Sequence, residues 1–289
     1  GTPLILFCVS PSPGLADGAD LNPRARGEVK TGANARAGRR DSLVRRAKTR
    51  TKNRRLHDQS PLTPFTRSVS LRHVYYSATG NVHRLAHALA EGASDEGAEV
   101  RIRHVEETFP EQLISQNQYW GRHRSEVEDE PVASLADLEW ADGIAFGTPT
   151  RFGNVAAQLK FFLDLAGELW ERGALVDKVA TSFTSSMTEH GGQESTILAL
   201  NNTLYHWGAI VLPLGYTVHE VFNGGGNPYG TSYTSDHGVD GPDETTLTVA
   251  RAQGARLARV AAAIAAAREA GFLTAKAAAK TSSASGKEN

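Results

Sequence analysis

Cysteine occurs once in the 289 residues, at Cys8, so the chain can form no internal disulfide and no Cys-rich zinc or iron–sulfur site. A reducing, cytoplasmic compartment is the expectation that follows. Long apolar runs are missing as well. None approaches the roughly 20 residues needed to span a bilayer, and residues 4–9 have neither the length nor the preceding basic segment of a secretion signal, so no membrane partner is expected. The chain also has no G-x-G-x-x-G fingerprint, no G-K-[ST] of a Walker A loop and no G-x-S-x-G elbow, which removes the usual dinucleotide, P-loop and serine-hydrolase readings. His83 and His87 lie four apart, but no H-E-x-x-H surrounds them and no third ligand is evident in sequence, so no metal is expected.

What is present divides at about residue 67. The net charge of −1 hides an asymmetry, since residues 1–67 hold 14 Lys+Arg against 5 Asp+Glu, leaving 17 against 27 for the remainder. The first segment has no sustained periodicity and too few apolar residues after Val9 to bury a core, so disorder is the expectation. Its basic stretch around residues 39–55 suits either a solvated tail, a targeting segment or an arm touching acidic surfaces. It has no aromatic interleaving and no binding-module signature, and no nucleic-acid partner is expected.

From residue 68 to about 270, short β-rich runs alternate with helical patterns, the signature of βαβ units and a parallel sheet. Strands are predicted at 69–76, 99–105, 143–147, 178–185 and 209–212, and helices at 82–96, 155–165, 194–206 and 244–268. An α/β, doubly wound five-stranded sheet accommodates them. Residues 271–289 read as a fraying tail, and residues 106–135 as a long loop serving function or a subunit contact. Arg72 and His73 are anomalous in a buried parallel strand. Either the strand begins nearer Val74 or residues before His73 are not the authentic start of the domain.

Three strand ends carry the chemistry. YYSATGNVHRLA at 75–86 passes from a strand through hydroxyls, an amide and a glycine into a helix, which offers backbone N–H groups and a positive dipole end to a monophosphate; the same residue types also simply cap helices. FGTPTRFGN at 146–154 is a second such turn. In an open α/β sheet the crevice at the topological switch point makes the two converge. FTSSMTEHGGQE at 183–194 is a third, whose glycines allow close backbone approach.

Together with GELWERGAL at 167–175, TLYHWG at 203–208 and GGNPYG at 225–230, these segments resemble the WrbA-type, or type IV, NAD(P)H:quinone oxidoreductases, in order and at matching spacing from about residue 74 to 268. The resemblance implies a flavodoxin-like fold with strand order 2-1-3-4-5, non-covalent FMN, a homotetramer, and two-electron reduction of quinones by NADH or NADPH with ping-pong kinetics and no catalytic side chain beyond the flavin's own chemistry. It implies that Ser77, Ala78, Thr79, Gly80, Asn81 and Val82 hold the FMN phosphate and ribityl end. Thr150, Arg151 and Phe152 would line the ring. Ser185, Ser186, Met187, Thr188, Glu189, His190 and Gly191 would close over its other polar edge, with His206 a further FMN contact and Trp170 beside the quinone. Thr79 stands where several members have a tyrosine implicated in nicotinamide binding. A non-enzymatic FMN carrier or protein-binding scaffold is the alternative.

Overall fold

The computed structural model describes residues 68–235 and 241–273. The expected disorder of residues 1–67 and most of the expected C-terminal tail lie outside the described residues.

A parallel sheet forms the middle layer. It is built from β1 (Ser70–Tyr75), β2 (Glu99–His104), β3 (Gly143–Arg151), β5 (Val179–Ser186) and the short β6 (Ile210–Val211), in spatial order β2-β1-β3-β5-β6. This is the expected 2-1-3-4-5 order. The labels shift because a two-residue strand, β4 (Asn154–Val155), folds back antiparallel on the end of β3. A further strand, β7 (Ser232–Thr234), also pairs with β5, beyond β6 along the same edge. The fifth position is therefore shared by two short strands, and β7 was not anticipated because three residues carry no periodicity.

The central strands are buried on both faces, which is why β1 and β5 read as continuous runs rather than alternating ones. On one face pack α1 (Asn81–Asp95) and α8 (Glu244–Glu269), through Val82, Leu85, Leu89, Leu257 and Ala261. The two helices meet at glycines. A Cβ on Gly92 would lie 2.0 Å from the Arg251 carbonyl oxygen, and one on Gly254 would lie 1.9 Å from that of Leu89, so only hydrogen side chains permit this contact. On the other face lie α4 (Leu135–Trp140), α5 (Ala157–Asp164), α6 (Gly167–Glu171) and α7 (Gln193–His206), contributing Leu138, Leu159, Phe162, Leu169, Leu200 and Leu204.

Two expectations are corrected. β1 begins at Ser70, not near Val74, and pairs in register with both neighbours from its start. Arg72 is buried there but not alone: its Nη2 lies 2.8 Å from Asp137 Oδ1, and its guanidinium carbon sits 4.5 Å from the centre of the Trp140 ring. Asp137 is itself fixed, accepting at 2.7 Å from the Ser134 N–H in a capping box that starts α4. His73 is neutralised rather than paired. Burial lowers its pKa to about 4, and its Nδ1 lies 3.1 Å from the Ala86 carbonyl oxygen.

Residues 106–135 are also more than a loop. They contain α2 (Glu111–Ile114) and α3 (Gln118–Glu126), and Val132 bridges to His104 at the sheet edge. Glu107 anchors the segment. Its carboxylate accepts from the Tyr76 hydroxyl at 2.8 Å, Trp120 Nε1 at 2.9 Å, Gln158 Nε2 at 2.8 Å and the backbone N–H groups of Thr108 and Phe109.

Candidate functional site

Because all five main strands are parallel, their carboxyl ends lie along one edge, and the loops after β1, β3 and β5 stand side by side there. The Tyr76 N–H donates to the Gly147 carbonyl oxygen at 2.9 Å, which carries the pairing of β1 and β3 to the mouth of the crevice.

The first loop leaves its helix N-terminus open. Gly80 occupies the N-cap of α1 at φ 95°, and no side chain caps the helix. Ser77 Oγ accepts instead from the Gly80 N–H at 3.1 Å, tightening the turn. The reading of these hydroxyls and Asn81 as ordinary caps therefore fails. The first-turn N–H groups receive no capping oxygen, and Asn81 Oδ1 is buried without a hydrogen-bond partner. Such a terminus suits an anion.

The second loop is a tight hairpin. Thr150 pairs with Val155 and Arg151 with Asn154, leaving Phe152 and Gly153 at the tip with φ of 53° and 75°. Phe152 holds a left-handed backbone and exposes 91% of its surface. A bulky residue in that region stores strain, and strain of this kind gathers at ligand clamps. The Thr150 hydroxyl accepts from the Gly153 N–H at 3.2 Å and donates toward the Gly191 carbonyl oxygen at 3.3 Å, which ties this loop to the third.

The third loop also approaches the second backbone to backbone. Gly192 is the N-cap of α7 at φ 90°, again without a side-chain cap, and a Cβ there would lie 2.8 Å from Gly153 Cα. Ser185 and Ser186 are strand residues rather than loop residues, paired with Tyr233 and Thr234 of β7. The Ser186 hydroxyl is already engaged, donating to the Thr188 carbonyl oxygen at 2.7 Å and accepting from Gln193 Nε2 at 2.8 Å. Met187 is half-buried, while Thr188, Glu189 and His190 are exposed.

Trp170 and His206 do not join these loops. His206 is the last residue of α7, which starts at the carboxyl edge of the sheet and spans about 20 Å at 1.5 Å per residue toward the opposite edge, and Trp170 lies in α6, directly after α5 has made the same descent. They join each other instead: Trp170 Nε1 donates to the His206 carbonyl oxygen at 2.9 Å, and both residues are exposed. Sequence reasoning missed Glu107 and Gln158, which hold Tyr76 beneath the crevice; their partners are far apart in the chain, and no local pattern marks them. It also found no third ligand near His83 and His87, whereas the fold brings Glu130 to them.

An uncapped helix terminus, next to two loops joined at glycines, fits a phosphate-bearing planar cofactor such as FMN. Among the described residues no helix is long and apolar enough to cross a membrane.

The chain is similar to several known proteins. An NAD(P)H dehydrogenase (quinone) of Geotalea uraniireducens is 44% identical over 197 residues, covering 66% of this chain and 97% of that protein. Another, from Syntrophus aciditrophicus, is 46% identical over 194 residues, covering 65% and 95%. A solved flavodoxin, WrbA-like protein from Agrobacterium tumefaciens aligns over 67% of this chain and 98% of its own, with 27% identity and a TM-score of 0.49. The profile of FMN_red, the NADPH-dependent FMN reductases, matches residues 73–223. With the sheet order, the uncapped helix termini and these relatives all in agreement, the chain belongs to the flavodoxin-like FMN reductase family.

Proposed function

We propose that this protein is an FMN-dependent NAD(P)H:quinone oxidoreductase that takes electrons from NADH or NADPH and reduces quinones by two electrons. The observation that carries the reading is the convergence of three loops at adjacent strand ends, two of them opening helices that no side chain caps. FMN supplies the hydride chemistry when bound.

The chain's own part is binding and orientation. The backbone N–H groups of Asn81, Val82 and His83 and the dipole of α1 hold the phosphate, and Thr79 lies at this end of the crevice. Arg151 and Phe152, at the hairpin tip, border the ring, and Phe152 supplies an apolar wall that keeps water off one edge. The backbone from Met187 to Gly191 borders the ring's polar edge.

Trp170 and His206 enter this reading through assembly. They sit at the edge of the sheet opposite their own subunit's loops, so the flavin they serve is that of a neighbouring copy. A symmetric homo-oligomer, a tetramer in the family resemblance, would place each exposed Trp170 over a neighbour's crevice.

The test is anaerobic stopped-flow on the FMN-loaded protein. Bleaching of the flavin by NADH or NADPH, followed by recovery with benzoquinone, is expected. A flavin that neither nicotinamide reduces would leave only the carrier or scaffold reading.

A further inference from the structure

Away from the loops, the fold assembles three side chains that the sequence keeps apart. His83 and His87 sit one turn apart on α1 and so share a face, with ring centres 4.3 Å apart. Glu130 arrives from beyond α3. Its Oε2 lies 3.4 Å from His83 Nε2 and 3.7 Å from His87 Nε2, and all three ligand atoms fall within 4.8 Å of one another.

These spacings discriminate between two interactions. Well-formed hydrogen bonds from imidazole to carboxylate close to about 2.7–3.2 Å, and both contacts are longer than that. Tetrahedral coordination at about 2.0–2.1 Å from metal to ligand separates neighbouring ligand atoms by about 3.3–3.4 Å. The His83–Glu130 distance of 3.4 Å matches that spacing, and the His87–Glu130 distance of 3.7 Å exceeds it by a few tenths of an ångström.

Glu130 is also held in place independently of the histidines. Its carbonyl oxygen accepts from His104 Nε2 at 2.9 Å, its N–H donates to the Val127 carbonyl oxygen at 3.0 Å, and Val132 bridges to His104. Its second carboxylate oxygen, Oε1, is buried with no hydrogen-bond partner. Glu126, Glu128 and Asp129 make the adjoining stretch of chain acidic, and no Lys or Arg forms an ion pair with Glu130 among the described residues. His87 is exposed, so water can reach a fourth position.

We propose that His83, His87 and Glu130 form a site for a divalent first-row transition metal of the zinc class, completed by water, which staples the 106–135 segment to α1. Two imidazoles and one carboxylate suit zinc or cobalt and disfavour magnesium, which prefers an all-oxygen shell. The site does not depend on the quinone reading, because metal binding is measured without turnover.

The test uses the untagged full chain, stripped with a chelator and titrated calorimetrically with Zn2+, with Co2+ absorption as a second probe and Mg2+ as a control. One equivalent of Zn2+ is expected, with Mg2+ silent. His87→Gln, at an exposed helix position, and Glu130→Gln should each weaken Zn2+ at least tenfold while circular dichroism stays native. Wild-type protein that binds no stoichiometric Zn2+, or natively folded His87→Gln that binds it as tightly as wild type, overturns the proposal. The His87 variant decides alone should Glu130→Gln fail to fold.

Discussion

Phe152 holds a backbone conformation that glycine would adopt freely, at φ 53° on a hairpin tip with its ring in solvent. Left-handed backbone costs an L-residue about 1–2 kcal/mol, and burial of the ring within the chain does not offset that cost. Phe152→Gly is therefore expected to raise stability by about 1 kcal/mol while lowering quinone turnover in FMN-loaded protein. Chemical denaturation and steady-state kinetics on the same preparation check both signs, and a loss of stability would show that the ring packs usefully at home. His73 makes the opposite kind of prediction. With its pKa at about 4 in the fold against an ordinary 6.5, the unfolded chain binds the extra proton first as pH falls. Stability should thus decline from about pH 6.5 to about pH 4, by up to about 1.4 kcal/mol per pH unit from this group. His73→Val should remove that part of the acid limb, which denaturation midpoints at pH 7 and pH 5 would reveal as a smaller difference than in wild type.

At the scale of elements, the crevice depends on two glycines meeting where α7 and the hairpin begin. Gly192→Ala would set a Cβ 2.8 Å from Gly153 Cα at a backbone angle of 90°. Strain of about 1.4 kcal/mol corresponds to a tenfold change in an equilibrium, so FMN affinity should fall roughly tenfold or more, read by flavin fluorescence quenching. How much of this was legible in sequence follows from the range over which each signal acts. Strand and helix positions were legible, since an apolar run or a 3.6-residue stripe is local. Why the first strand tolerates Arg72 was not, because what permits it is Asp137, from a helix more than sixty residues away in the chain. The same holds for the 106–135 segment, whose helices are short and whose anchor, Glu107, finds Gln158 and Trp120 only in the fold.

At the scale of the whole molecule, sheet polarity separates the loops from Trp170 and His206. If an aromatic wall orients a planar quinone with about 1–3 kcal/mol, as base stacking does, Trp170→Ala should lower kcat/KM by roughly 5- to 150-fold at tenfold per 1.4 kcal/mol. FMN affinity should barely change, because the flavin's own loops lie at the far edge. Mixing this variant with Gly192→Ala under conditions that exchange subunits should restore turnover above either parent alone, since a mixed assembly contains an intact crevice facing an intact tryptophan. Absence of recovery, with exchange verified by mass, would remove Trp170 from a shared site.

Hydrophobic periodicity and the turn chemistry of three strand ends by themselves determined the α/β class, the positions of the main strands and the three polar loops at their ends, because each is written in consecutive residues. Only the tertiary structure decided that Ser185 and Ser186 pair with a further strand, that Trp170 and His206 stand across the sheet from the loops, and that Glu130 meets His83 and His87. Those outcomes depend on which distant segments share an edge, and contact across a fold leaves no periodic trace in the chain that makes it.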